Sequence, residues 1–435
     1  CGNGTTVNGS ITIEDGSQLY CEVARGKVTV KKEILGYQQS AVSGQQSESK
    51  WYTIASPLKD AIQITHDSTL LTPNSDYDLY RYDEPSYTWQ NAKNSANNGF
   101  NTIDPGRGYL YANAENTTLE FKGDINTETV TYNLSAKSDV LNGFHLVGNP
   151  FTHNITFAHL NATEGAELVN GYYVLNGEGA WGATLGSNEN DVIKVGQGVL
   201  VKATAEGTLA ISRQPSAVSR QRSGKGQQTT DNGQQSLCIS VSNAKYSDRA
   251  FVVFDKGVGL DKMNHENEDI PLLYIPMEDA DYAIAMMDIN VNEIPVNFET
   301  DVMGEYTISL RQENCEFDEL YLLDKETDEK VNILEQDYTF IATSSENPER
   351  FILMKDAQGS QLEAHSHFAY INNGDIVIYN IEGDADIKIF DALGRCVYHG
   401  ESSDETTRIA NGYSSGVYMI QKVDDKGVNV QKIIL

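Results

Sequence analysis

Basic residues are scarce in this chain of 435 residues: 32 Lys and Arg stand against 62 Asp and Glu, for a formal charge of -30. Tracking a phosphate backbone needs basic surface that displaces counterions, so nucleic acid is excluded as a partner. Cysteine is sparse as well. Cys1, Cys21, Cys238, Cys315 and Cys396 are too scattered for a disulfide framework or a zinc site, and their odd number leaves at least one unpaired. They are expected to be small buried hydrophobes. No apolar run approaches the roughly 20 residues that a membrane-spanning helix needs, so no transmembrane segment is expected.

The signatures of catalysis are missing too. There is no Gly-x-Ser-x-Gly elbow, no His-Glu-x-x-His helix, no Cys/His pair in a protease context and no Asp-x-Asp-x-Asp-Gly calcium loop. His365 and His367 can face one side of a strand, but a metal centre needs a third ligand and none is evident. With 62 acidic residues, carboxylate pairs suited to glycoside hydrolysis are inevitable and therefore uninformative. The expectation is a non-enzymatic protein with no catalytic residue, no metal and no cofactor. Residue 1 is not Met and no secretory leader follows it, so the chain is expected to be the carboxyl-terminal part of a longer protein.

What is present is short apolar runs bounded by Gly, Asn, Asp and Ser, the mark of an all-β protein built of several antiparallel sandwiches in tandem. Residues 1–37 hold three such runs with Gly at the corners, which suits either the last rungs of a β-solenoid or an ordinary hairpin. Residues 38–135 and 136–213 read as two copies of one unit. Trp51-Tyr52-Thr53-Ile54-Ala55-Ser56-Pro57 aligns with Phe144-His145-Leu146-Val147-Gly148-Asn149-Pro150, and Tyr77–Tyr82 followed by Trp89 aligns with Gly171–Asn176 followed by Trp181. Gly106-Arg107-Gly108 aligns with Gly196-Gln197-Gly198, and Thr118–Phe121 with Thr208–Ile211. The Gly-x-Gly turns lead into strands, so they are tight turns and not phosphate loops. Looser apolar spacing between Ile155 and Ala166 allows one helix. Residues 214–236 are polar with Arg220, Arg222 and Lys225, the composition of a flexible linker. Nine runs between 237 and 358 predict a further antiparallel sandwich, jelly-roll-like, and 364–435 a last, smaller one.

The aromatic residues Tyr77, Tyr80, Tyr82 and Tyr87 cluster in the first unit and are candidates for ligand contact, because exposed aromatic faces stack on sugar rings or anchor protein interfaces. Trp89 and Trp181, at equivalent places, are expected to be core.

The last segment carries a specific pattern: a strand running into Asp391-Ala392-Leu393-Gly394-Arg395, a second strand opening Gly416-Val417-Tyr418, and Lys432 followed by Ile433-Ile434-Leu435 at the end. In order, spacing and position it resembles the type A C-terminal sorting domain of proteins exported by the type IX secretion system of Bacteroidetes. That resemblance implies an Ig-like sandwich with Asp391, Gly394, Arg395, Gly416, Val417, Tyr418 and Lys432 as signal residues. It implies partners too: the outer-membrane translocon, a sortase-like protease that removes the tail, and surface lipopolysaccharide joined to the body. The block ahead of it resembles, more loosely, non-catalytic β-rich regions of Bacteroidetes surface proteins. The expected function is an adhesin-like or display protein, secreted or on the cell surface, binding a glycan or a host protein. The competing expectation is the accessory end of a secreted protease or glycosidase whose catalytic domain lies upstream.

Overall fold

The structure, a computed structural model, describes residues 10–20, 27–36, 50–63, 77–93, 100–138, 141–163, 165–175, 177–187, 191–215, 234–278, 280–343, 347–355, 368–372, 375–379, 381, 383–391, 394–410, 412–413, 416–424 and 427–434. The linker 214–236 falls almost wholly outside them, as do Cys1, Cys21, His365 and His367. Among the described residues the chain is all-β, with helical structure limited to single 3-10 turns. It forms two compact units, residues 1–291 with 306–317, and residues 292–305 with 318–435.

In the first unit, the strands Tyr52–Ala55, Gly108–Asn113, Tyr77–Asp83 and Thr88–Asn91 form one sheet in that order. Phe144–Gly148, Gly198–Lys202, Tyr172–Leu175 and Trp181–Thr184 form another in the corresponding order. The segments that align in sequence thus hold corresponding places in two sheets, with one correction. Tyr80 faces Leu110 as Tyr173 faces Leu200, so the aromatic strand of the first unit answers Tyr173 at Tyr80, one residue from the sequence alignment. Each sheet is covered on one face by a three-stranded sheet. The first is covered by Ile11–Ile13, Lys27–Ile34 and Thr117–Asp124, the second by Val130–Leu134, Gly207–Ile211 and Leu160–Thr163. Period-two alternation supplies both cores. Ile54, Leu79, Tyr109 and Tyr111 meet Val28, Val30 and Phe121 in the first, and Val147, Tyr172, Val199 and Val201 meet Leu134, Leu209 and Ile211 in the second.

The N-terminal strands therefore do not stand as a separate element. Ile11–Ile13 lies parallel to Lys27–Ile34, as successive solenoid rungs do, yet Lys27–Ile34 also pairs along its whole length with Thr117–Asp124. Two short rungs leave an apolar face uncovered, and the first sandwich covers it. The helix allowed between Ile155 and Ala166 is instead a two-residue strand, a 3-10 turn at Phe157–His159 and the strand Leu160–Thr163. There the Thr156 backbone N–H donates to His159 Nδ1 at 3.1 Å, a capping box at the start of the single turn.

The two sandwiches meet about a local pseudo-dyad built by the Gly-x-Gly turns. Ala55 N–H donates to Gly196 O at 3.0 Å, and its counterpart Gly148 N–H donates to Gly106 O at 2.9 Å. Ile54 bridges Gln197 just as Val147 bridges Arg107. Gly106 and Gly196 take φ of 77° and 74°, the left-handed turn that glycine permits. Gly148 is required for a different reason: a Cβ there would lie 2.3 Å from the Ala55 Cβ and 2.6 Å from Arg107 O.

All nine strands expected between 237 and 358 form, but they fall in both compact units. In the first unit Leu272–Pro276, Asp281–Met287, Ser247–Phe254, Ser236–Ser242 and Gly304–Glu313 lie side by side, with Leu260–Asp261 also against Asp281–Met287. Cys238, Phe251, Val253, Leu260, Ala283 and Ile284 from this sheet cover the outer face of the second sandwich, where they pack with Phe144, Tyr173, Leu175, Trp181 and Leu200. In the second unit Glu329–Asn332, Tyr321–Asp324, Phe351–Met354 and Glu293–Glu299 lie side by side in a sheet, and the strands from Ala369–Asn372 onward make a separate sandwich.

Candidate functional site

That last sandwich pairs Ala369–Asn372, Asp375–Ile378 and Thr407–Ile409 in one sheet with Cys396–Ser402, Ala385–Asp391, Val417–Asp424 and Gly427–Ile434 in the other. Alternation aims Ile387, Ile389, Tyr418 and Ile420 inward onto Phe368, Ile376, Ile378 and Ile409. Asp391-x-x-Gly394-Arg395 forms a closed turn. Asp391 accepts the Arg395 backbone N–H at 3.0 Å and Arg395 Nε at 2.7 Å, while Gly394 N–H donates to Asp391 O at 2.9 Å. Gly394 sits at φ 76°, where no Cβ is tolerated without strain. The three residue types thus have separate tasks: acceptor, positive-φ hinge and donor. The Arg395 side chain remains 74% exposed, so this ion pair shapes the turn and adds little stability.

Val417 is 37% exposed, whereas Tyr418 is 8% exposed and packs on Tyr413 with ring centroids 5.7 Å apart. Gly416 opens that strand, and Lys432 lies opposite Met419 on the edge strand Gly427–Ile434. The turn residues are thus brought together, with Tyr418 directly opposite Asp391 on the neighbouring strand and Lys432 one strand further out. Two further residues hold this domain and escaped sequence reasoning. The Gln431 carboxamide accepts Phe368 N–H at 2.6 Å and Ala369 N–H at 2.8 Å, tying the last strand to the first. Lys422 Nζ meets Asp424 at 2.8 Å in the buried interior. Lys422 occupies the inward phase set by Tyr418 and Ile420, and that break in phase was the available signal.

The aromatic candidates do not form one surface. Tyr77 turns to the core face, where it stacks on Tyr111 at 6.3 Å. Tyr80 and Tyr82 turn to the outer face, Tyr82 being buried and packed on Trp89 at 5.0 Å. Tyr87 caps the 3-10 turn Glu84–Ser86 at φ 58° and is exposed. Trp181 is 1% exposed, as expected of a core residue, but its counterpart Trp89 is 36% exposed because no later strand covers it. Cysteine also departs from expectation. Cys238 is buried, Cys315 is half-buried and Cys396 is exposed, all three with free thiols.

Buried charges are fixed in hydrogen-bonded networks. Glu84 Oε1 accepts the backbone N–H groups of Lys137, Ser138 and Gly143 at 2.7, 2.9 and 3.1 Å. Burial would raise its pKa, but those bonds and Ser135 outweigh burial and hold it low. Asp248 pairs with Lys262 and receives Leu273 N–H at 2.7 Å, with His265 Nε2 at 3.5 Å. The Trp181 backbone N–H donates to His265 Nδ1 at 3.1 Å and links the second sandwich to this buried pair. Among the described residues no group of three His, Cys, Asp or Glu side chains is arranged to hold a metal ion.

Residues 368–435 match the family described as the secretion system C-terminal sorting domain. This tail is a type IX sorting domain. The sorting domain directs the chain to the type IX machinery and across the outer membrane, to the cell surface or the extracellular space. No helix among the described residues is long and apolar enough to cross a membrane. No curated protein matches the chain. Among solved structures, the chain is similar to that of PorZ, an essential bacterial surface component of the type IX secretion system of Porphyromonas gingivalis. That likeness has 20% identity and a TM-score of 0.15, and covers 22% of this chain and 14% of that one. A second similar structure, a biofilm-associated protein BSP domain, has 12% identity and a TM-score of 0.14, and covers 94% of this chain and 63% of that one. At these scores neither describes a shared overall fold.

Proposed function

We propose that the sorting domain delivers a non-enzymatic, adhesin-like body, two copies of one β-sandwich unit followed by further β domains, that attaches to a ligand outside the cell. The translocon and a sortase-like protease act on the tail, and surface lipopolysaccharide retains the body. One observation carries the reading: the outer sheet face of the first sandwich leaves the amphipathic Trp89 side chain 36% exposed, and Tyr87, capping the 3-10 turn that joins its strand to the one before, is 43% exposed. Buried aromatic area with a polar tip is what recognition surfaces use.

The test uses whole cells of a host with type IX secretion. Cells displaying the full chain should adhere to immobilised host cells or matrix. Cells displaying a reporter joined to residues 364–435 alone should show the reporter on their surface and not adhere. Equal adhesion by both would overturn the adhesin reading.

A further inference from the structure

The internal duplication allows each residue of one outer sheet face to be compared with its counterpart on the other. Register places Asp78 opposite Ala112, Tyr80 opposite Leu110 and Asn91, Tyr82 opposite Trp89, and Thr53 opposite Leu110, so all of these share the outer face of the first sandwich. Trp51 joins them edge-on to Tyr80 at 5.7 Å. By strand register, the second sandwich has Phe144 where the first has Trp51, Gly171 for Asp78, Tyr173 for Tyr80, Leu175 for Tyr82, Trp181 for Trp89, Ala183 for Asn91 and Leu200 for Leu110.

The second face is an interior. It lies under Phe251, Val253 and Ile284, Tyr173 is fully buried, and the Trp181 indole N–H is spent on Glu266 at 3.3 Å. Toward Trp51, Leu110 and Tyr82 the first face joins this same core, and toward Asp78, Tyr80, Asn91 and Trp89 it stays in reach of solvent. On the solvent-facing part, Asn91 and Asp78 stand where the second sandwich has a methyl and a bare backbone, while Tyr82 is buried. Asn91 and Asp78 each add a group that hydrogen-bonds, at a place where a protein sheet packed in the second copy. A face meant for another aliphatic sheet gains nothing from this, because buried polar groups must find partners. A ligand with one apolar C–H face and a rim of hydroxyls matches both parts: the rings of Trp51, Tyr80 and Trp89 for its face, the carboxylate of Asp78 and the carboxamide of Asn91 for its rim.

We infer that the outer sheet face of the first sandwich, centred on Tyr80 and Trp89 between Trp51, Asp78 and Asn91, is a binding ledge for a neutral saccharide. Neutrality follows from charge. The chain carries -30, and Asp78, 3.5 Å from Lys93 Nζ, lies at the ledge itself, so sialylated or sulfated glycans meet repulsion. The inference rests on the adhesin reading and narrows its ligand.

The experiment is an array of neutral and acidic oligosaccharides probed with the full chain. Binding to neutral pyranosides is expected, with at least a tenfold loss of signal in Trp89→Ala and Tyr80→Ala, partial retention in Trp89→Phe, and no loss in Met303→Ala, which alters an exposed side chain of the second compact unit. Thermal unfolding of each variant, unchanged within a degree or so, keeps loss of binding separate from loss of fold. A blank array from a chain that still mediates cell adhesion overturns the saccharide inference and leaves a protein ligand. Binding confined to acidic glycans, or binding that survives Trp89→Ala, overturns it as well. Failure of adhesion itself would remove the reading beneath it.

Discussion

Asp324 is wholly buried, yet it keeps its charge because Arg350 approaches it with two bonds, Nε to Oδ1 at 2.9 Å and Nη2 to Oδ2 at 2.7 Å. The guanidinium also lies over the rings of Phe340 and Phe351, at 4.6 and 5.2 Å, and Tyr338 donates its hydroxyl to Asp324 at 2.8 Å. Burial pushes the carboxyl pKa up, and Arg350, Tyr338 and the Glu326 backbone N–H more than offset it, so the pKa ends below its ordinary value. A carboxylate lowered on folding contributes stability above its unfolded pKa of about 3.9 and loses it as pH falls through the folded value. Asp324→Asn strands the buried Arg350 charge and should cost about 3–5 kcal/mol at neutral pH, read as a lower urea midpoint. The loss should shrink as the wild type is acidified below about pH 4. A variant whose deficit is the same at pH 7 and pH 3 would show that Asp324 is not the acid-sensitive group. None of this was visible in sequence, where Asp324 and Arg350 are two charges among many. By contrast, the tasks of Asp391, Gly394 and Arg395 could be read locally, because all the partners lie within one turn.

At the scale of elements, the Gly-x-Gly turns were legible as turns into strands, and their pairing across the two sandwiches was not. Each turn satisfies the strand end of the opposite copy, an isologous contact made within one chain. Gly148→Ala drives a methyl into the Ala55 Cβ and Arg107 O and is expected to cost about 1–3 kcal/mol, as overpacked sites do. Gly412→Ala, with nothing within 4 Å of the added carbon, should be close to neutral. Equal thermal midpoints for the two variants would refute the tight approach at the pseudo-dyad. The same comparison of copies explains why Trp89 departs from the core role expected of it. Its strand is an edge in both sandwiches, and only the second edge is covered by the strands that follow.

For the whole molecule, the excess of 62 acidic over 32 basic residues dominates its response to solution conditions. Most of those carboxylates are at the surface, and the resulting self-repulsion weakens as the Debye length contracts from about 30 Å at 0.01 M salt to about 10 Å at 0.1 M. The thermal midpoint should therefore rise between those salt concentrations. A midpoint that falls would mean that attractive surface pairs, such as Lys59 with Glu128, outweigh the net charge.

The sequence by itself determined the all-β class, nine of the later strands and the identity of the tail, because each depends on period-two alternation, on turn residues or on a motif whose partners are near in the chain. Tertiary structure alone decided which faces those strands present and to what. It put Tyr77 and Tyr80 on opposite sides of one strand, folded Lys27–Ile34 into the first sandwich, and covered Trp181 while leaving Trp89 in reach of solvent. The physical reason is that alternation fixes which side chains share a face, while burial depends on whichever distant segment packs on that face.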